Sequence, residues 1–165
     1  MTVRRVAAPL ALALLAAGCD GNDRAPDDTR LVELAFLETP VADAEPDAGC
    51  DTVVYETFRV PAGEPPVTAA LERLFALRAE RVRGHRHFLA RTRDTLRLAR
   101  VDHEGNAVHV YLTGTLTGLR GTCDDPRAAI QIRHTARRVS GIETVHLHLD
   151  GRRTDLRPDA RGAGP

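Results

Sequence analysis

Apolar and polar residues alternate at Val32, Leu34 and Phe36, so residues 31–37 are predicted to form a strand with one buried face. A loop, residues 38–49, follows with two prolines and four acids. Thr52 to Val60 is rich in β-branched and aromatic residues and reads as a second strand. Pro65-Pro66 then opens a helix, because proline is tolerated at a first turn. Val67, Ala70, Leu71, Leu74 and Phe75 fall on one stripe of that helix. Residues 78–93 have no clear period. Alternation returns at Leu96 and Leu98, and again at Val108, Val110 and Leu112. Gly105-Asn106 between them supplies hairpin turn chemistry. Asp125-Pro126 has the form of a helix cap followed by proline at N1. Ala129, Ile132, Ala136 and Val139 carry the second helix, and Gly141 is placed to end it. Val145, Leu147 and Leu149 mark a last strand, closed by Asp150-Gly151. The expected fold is a single α+β domain of order β-β-α-β-β-α-β, a mainly antiparallel sheet with both helices packed on one face.

The N-terminus carries a different pattern. Arg4 and Arg5 precede an uncharged run, Val6 to Ala17, which ends in Leu15-Ala16-Ala17-Gly18-Cys19. A charged start, a short apolar core and small residues form a secretory signal. Twelve residues are too few to span a bilayer, which needs about 20. With its cysteine, the run resembles a bacterial lipoprotein signal. That resemblance implies a signal peptide at 1–18, cleavage before Cys19, and acylation of Cys19 with palmitate-type chains. Two or more chains hold a protein stably on a membrane. The expected location is the extracytoplasmic face of a cell membrane. Asp20 resembles the inner-membrane retention signal of some two-membrane bacteria. Residues 19–30 read as a flexible tether, 31–152 as the folded domain, and 153–165 as a disordered tail.

Charge is formally balanced but unevenly spread. Residues 20–51 hold ten acids against Arg24 and Arg30, and residues 73–100 hold nine arginines against Glu80 and Asp94. Two solvated faces are the simpler reading of that asymmetry. The functional reading is a surface for an anionic partner, formed by Arg78, Arg81, Arg83, Arg86, Arg91 and Arg93. Phe88 is the one aromatic in the arginine-dense loop, residues 78–93, and the compartment is wrong, so nucleic acid is not the expected partner. In an oxidising compartment the two remaining cysteines, Cys50 and Cys123, default to a disulfide, with two separate buried thiols as the alternative. The long loop it would close contributes up to about 4 kcal/mol in the chain-entropy account.

Two blocks resemble the GerMN domain, the module of sporulation and spore-germination lipoproteins. Asp94-Thr95-Leu96-Arg97-Leu98 through Gly105 to Val108-His109-Val110-Tyr111-Leu112 is similar to the family's central hairpin. Cys123-Asp124-Asp125-Pro126-Arg127 through Gln131-Ile132, Thr135, Val139, Val145 and Leu147 to Asp150-Gly151 is similar to its last helix and strand. The Gly-Pro often found after the first helix is replaced by Ala76-Leu77-Arg78. The resemblance implies a non-enzymatic envelope protein that binds a protein partner or itself, as ring-building domains do, with no cofactor.

The residue inventory bears on catalysis separately. There is no lysine, and Ser140 is the one serine, outside any GxSxG context. Lysine bases, Schiff bases and a phosphate-loop lysine are therefore excluded. Carboxylates for a cell-wall hydrolase exist at Glu33, Glu56, Glu143 and Asp150, as they do in most chains of this composition. A metal-binding alternative rests on His146 and His148, two apart on one strand, and on His109 in the hairpin. Three solvated histidines on a polar sheet face are the simpler reading. His85 and His87 fall in the unassigned stretch and give a weaker signal.

Overall fold

The computed structural model describes residues 28–38, 52–92, 94–116 and 124–156. Two long strands, β1 (Thr29–Glu38) and β2 (Thr52–Pro61), pair antiparallel along their whole length, from Thr29 opposite Pro61 to Glu38 opposite Thr52. The alternation in β1 buries Val32, Leu34 and Phe36 as expected. Ala35 and Leu37, on the opposite side, are buried as well. Helix α1 (Pro66–Ala76) starts with Pro66 in its first turn and buries Val67, Ala70, Leu71 and Leu74. It ends at Leu77, whose backbone turns extended. The segment without a period forms two very short strands, β3 (Arg81–Val82) and β4 (His85–Arg86), and then a 3₁₀ helix at Phe88–Thr92. β4 pairs with β1 at Leu37, so the first sheet runs β2-β1-β4-β3.

The second sheet runs β5-β6-β7-β8. β5 (Leu96–Glu104) and β6 (Ala107–Gly114) form the predicted hairpin, with Gly105 at positive φ in its two-residue turn. β7 (Thr144–Leu149) lies parallel to β6, with helix α2 (Asp124–Ser140) in the connection between them. Parallel neighbours require such a crossover. α2 starts one residue before the expected cap at Asp125 and stops at Gly141, whose N–H bonds the Arg137 carbonyl at φ 71°. The fold therefore has two mostly antiparallel sheets where one was expected. Each gives one face to the helices: α1 touches β1, β2 and β5, while α2 touches β1 and β7. One hydrophobic core draws on both sheets and both helices.

Two expected boundaries move. Thr29 and Arg30, assigned to the tether, already belong to β1. At the other end β8 (Arg152–Thr154) pairs with β7, and Leu156 is fully buried, so the ordered chain continues past residue 152. The rest of the tether and tail, the signal peptide, and Cys19, Cys50, Cys123 and Arg93 lie outside the described residues.

Between α2 and β1 the core is polar. Ala35 turns its N–H and C=O toward α2, where Thr135 Oγ1 accepts from the N–H at 2.9 Å and Gln131 Nε2 donates to the carbonyl at 3.1 Å. The Gln131 carbonyl oxygen also accepts from the Phe88 N–H at 2.7 Å. Its amide nitrogen lies 3.3 Å from His87 Nδ1. His87, Gln131 and Thr135 are all buried. Burial holds the His87 pKa down to about 4, an effect that Gln131 and the Leu77 and Leu74 carbonyls only partly offset. Its Nε2 has no hydrogen bond of good geometry among the described residues. The imidazole is thus a neutral core group, edge-on to Phe36 with centroids 5.6 Å apart.

Two predictions follow from this packing. Gly114 sits at φ 106°, and a Cβ there would lie 1.9 Å from the Thr95 carbonyl oxygen, so Gly114→Ala should lose at least about 2 kcal/mol in denaturant unfolding. A fully stable variant would contradict that geometry. For His87 the unfolded ring titrates near 6.5 and the folded ring near 4, so the unfolded state binds the proton first. Its contribution is complete above the unfolded value and is lost as pH falls from about 6.5 toward 4, roughly 3 kcal/mol in all. His134, His146 and His148 are also lowered by burial and act in the same direction. Unfolding free energy followed from neutral to acid pH should show a shallower fall in His87→Phe than in the parent; identical slopes would contradict the assignment.

Candidate functional site

Two groups of side chains stand out, one on each sheet. On the second sheet the residues of β6 and β7 that face away from the core include His109, Tyr111, His146 and His148. Parallel register sets His109 opposite His146 and Tyr111 opposite His148. In β5 the pairing shifts between Leu98 and Arg100, a bulge that leaves Ala99 unpaired. The bulge resets the alternation begun by Leu96 and Leu98, and Arg100 falls opposite Tyr111 on the outer face. Its guanidinium lies 3.5 Å from the Tyr111 ring centre and also pairs with Asp102. On the other side Arg153 of β8 is opposite His148. A row, Arg100–Tyr111–His148–Arg153, thus crosses all four strands by register, and within it Arg100 lies over Tyr111 while the Tyr111 and His148 rings stack with centroids 4.5 Å apart at 16°.

The three histidines named from the sequence do come together. His109 Nδ1 and His148 Nε2 are 3.1 Å apart, and the His109 and His146 rings meet edge-on at 5.0 Å. Glu104 Oε2 lies 3.7 Å from His109 Nε2. The pKa of His146 is lowered by burial first and then by Arg153 and His109; that of His148 is lowered by burial, then by His109 and Arg153. Among the described residues, no three or more His, Cys, Asp or Glu side chains are arranged to hold a metal ion. The His109–His148 contact is a hydrogen bond between two rings, and His146 presents its ring edge-on to His109 instead of joining that contact.

The second group is the arginine-rich hairpin β3–β4. Arg83 and Gly84 make its two-residue turn with φ of 50° and 94°, both positive, as a primed turn requires. Arg83 is spoken for: it bonds Glu56 at 2.6 Å and lies 4.9 Å over Phe58. His85 bridges Glu38 and Glu56 at 3.2 and 3.3 Å. Arg78 lines a separate cleft with Glu72, Asp94 and Arg97. Arg81, Arg86 and Arg91 share one open cavity of ≈ 330 Å³ with Glu80, His87 and Phe88. Of the six arginines proposed as one surface, the fold therefore gathers three and sends Arg78 and Arg83 elsewhere.

Two of the four acids named from the sequence are held by arginines. Glu33 bonds Arg138 at 2.6 Å. The Arg83 guanidinium, with help from His85, holds the Glu56 carboxyl below its ordinary value, the reverse of what a general acid needs. Ser140 accepts from the Ile142 N–H and donates to the Ala136 carbonyl, so it finishes α2. Sequence reasoning missed Glu72, whose pKa is raised by burial and by neighbouring Glu64. It also missed Gln131 and Thr135 as buried hydrogen-bonding groups. A polar residue on the buried stripe of an amphipathic helix was the available signal.

No helix among the described residues is long and apolar enough to cross a membrane. No family profile matches the chain, and no curated protein matches it. Two solved structures do. A chain from Clostridium perfringens, provisionally named a lipoprotein, aligns over 75% of this chain and 76% of its own at 11% identity and a TM-score of 0.43. The tandem GerMN domains of the sporulation protein GerM from Bacillus subtilis align over 79% of this chain at 15% identity, with a TM-score of 0.55. This chain spans 42% of that tandem structure, less than half its length. The described residues carry a GerMN-like fold.

Proposed function

We propose that this chain is an extracytoplasmic lipoprotein whose GerMN-like domain serves as a non-catalytic binding or assembly module. The fold carries the proposal: it is shared with tandem domains of a sporulation protein, and 79% of the chain takes part in the likeness. The N-terminal run to Cys19 supplies the anchor. Acylation there places the domain at a membrane surface, at the end of an acidic tether, and a Cys50–Cys123 disulfide would suit that compartment. The residue chemistry supports a binding role. The chain has no lysine, its serine finishes a helix, and Glu33 and Glu56 are each engaged by arginine.

The reading predicts that, in isolated membranes, the N-terminal peptide begins at Cys19 and carries fatty acyl mass. It further predicts that carboxyl-directed crosslinking before gentle solubilisation joins the protein reproducibly to one partner or to itself; amine-directed reagents meet no lysine. A chain recovered with its leader intact, or acylated but monomeric and uncrosslinked, would contradict it.

A further inference from the structure

The cavity beneath the β3–β4 hairpin has the chemistry of a phosphate site. Its lining offers three guanidinium groups, Arg81, Arg86 and Arg91, against the single carboxylate of Glu80. That carboxylate is engaged by Arg91 Nε at 3.3 Å. Arg81 spends one Nη1–H on the Gly84 carbonyl at 3.1 Å. The Arg86 side chain makes no hydrogen bond or ion pair with any described residue. A half-buried guanidinium without a counter-charge, beside a second one with donors to spare, is an uncommon arrangement unless an anion completes it.

The groups are also held in place before any ligand arrives. The primed turn at Arg83-Gly84 fixes the hairpin, and the Arg83–Glu56 ion pair ties it to β2. The floor is the buried Phe88, with the Arg91 and Arg127 guanidinium groups 5.4 and 5.0 Å from its ring centre. The Phe88 N–H is bonded to Gln131 beneath it. Arg86, His87 and Phe88 are consecutive, so the buried imidazole and phenyl ring anchor the backbone that carries the arginine. A fork of two N–H donors on a fixed backbone matches the oxygens of a phosphate.

We infer that Arg81 and Arg86 bind a phosphate group in this cavity, with Arg91 adding charge. The open cavity, of ≈ 330 Å³, has room for more than a bare phosphate. The group could be supplied by phospholipid headgroups or by a free phosphate compound, which the experiment separates. The site does not depend on the lipid anchor, so it stands or falls apart from the proposed attachment.

Full-length protein in neutral, phosphate-free detergent is titrated with inorganic phosphate at constant ionic strength, following the side-chain and backbone N–H resonances of Arg81 and Arg86. A second titration uses phosphatidylcholine vesicles with and without phosphatidylglycerol. The site predicts saturable shifts at both arginines. Arg86→Gln should weaken phosphate binding roughly tenfold or more, the loss of a charged hydrogen-bonding pair. Arg86→Lys, which keeps the charge but loses the fork, should fall between, and its unfolding curve reports whether the hairpin stays intact. Arg152→Gln, on β8, removes the same charge and should bind like the parent. A response to inorganic phosphate alone supports a free phosphate ligand; an added response to phosphatidylglycerol over phosphatidylcholine supports a headgroup. No shift in either titration, or equal weakening by Arg152→Gln, overturns the site.

Discussion

A single buried amide, Gln131, joins the three parts of the structure that short-range propensity leaves apart. Its nitrogen satisfies the Ala35 carbonyl of β1, its oxygen satisfies the Phe88 N–H of the 3₁₀ helix, and its own backbone is α2. Thr135, one turn further along, takes the Ala35 N–H. Among the described residues, β1 has no second strand beside it beyond the short contact with β4 at Leu37, so α2 closes this part of its edge with side chains. Each of these backbone groups left unpaired in the core would cost about 1–3 kcal/mol. The constraint fixes the height and rotation of α2 against β1. Alanines at 128, 129 and 136, all buried, allow the close approach.

The rest follows from where α2 is pinned. Since α2 is the crossover between β6 and β7, its position sets the parallel register that places His109 beside His146 and Tyr111 beside His148. At its other contact it holds His87 and Phe88, and so aims Arg86 into the cavity above them. The stacked face of the second sheet and the arginine cavity of the first are therefore organised by the same helix. The protein keeps the Gln131 hydrogen-bond network inside and carries its arginine and histidine groups on short or bulged elements at the surface.

Much of this was legible beforehand, for identifiable reasons. The two helices announced themselves through stripes such as Val67, Ala70, Leu71 and Leu74, and the hairpin through Gly105-Asn106, because amphipathic period and turn chemistry are local properties. The histidine cluster was readable because period two places side chains on one face whatever the partner strand. The split into two sheets was not, since strand adjacency depends on distant contacts. Residues 81–92 escaped because two-residue strands have no period; what organises them is a hydrogen bond to Gln131, some forty residues away. The ends were misjudged for a related reason. Arg152 to Leu156 looks polar, yet one leucine buries itself and brings a short edge strand with it. The arginine cluster looked like one surface in the chain, but ion pairing with Glu56 draws Arg83 away.

The central claim, that Gln131 locks β1, α2 and the 3₁₀ helix into one unit, is tested most directly by native-state hydrogen exchange at Phe88. In the parent protein its N–H should be protected to nearly the level of core amides such as Val110 in β6. In Gln131→Leu the Phe88 amide should exchange far faster while Val110 in the second sheet keeps its protection. A Phe88 amide that exchanges freely in the parent, or one that is equally protected in Gln131→Leu, would show that the lock does not exist.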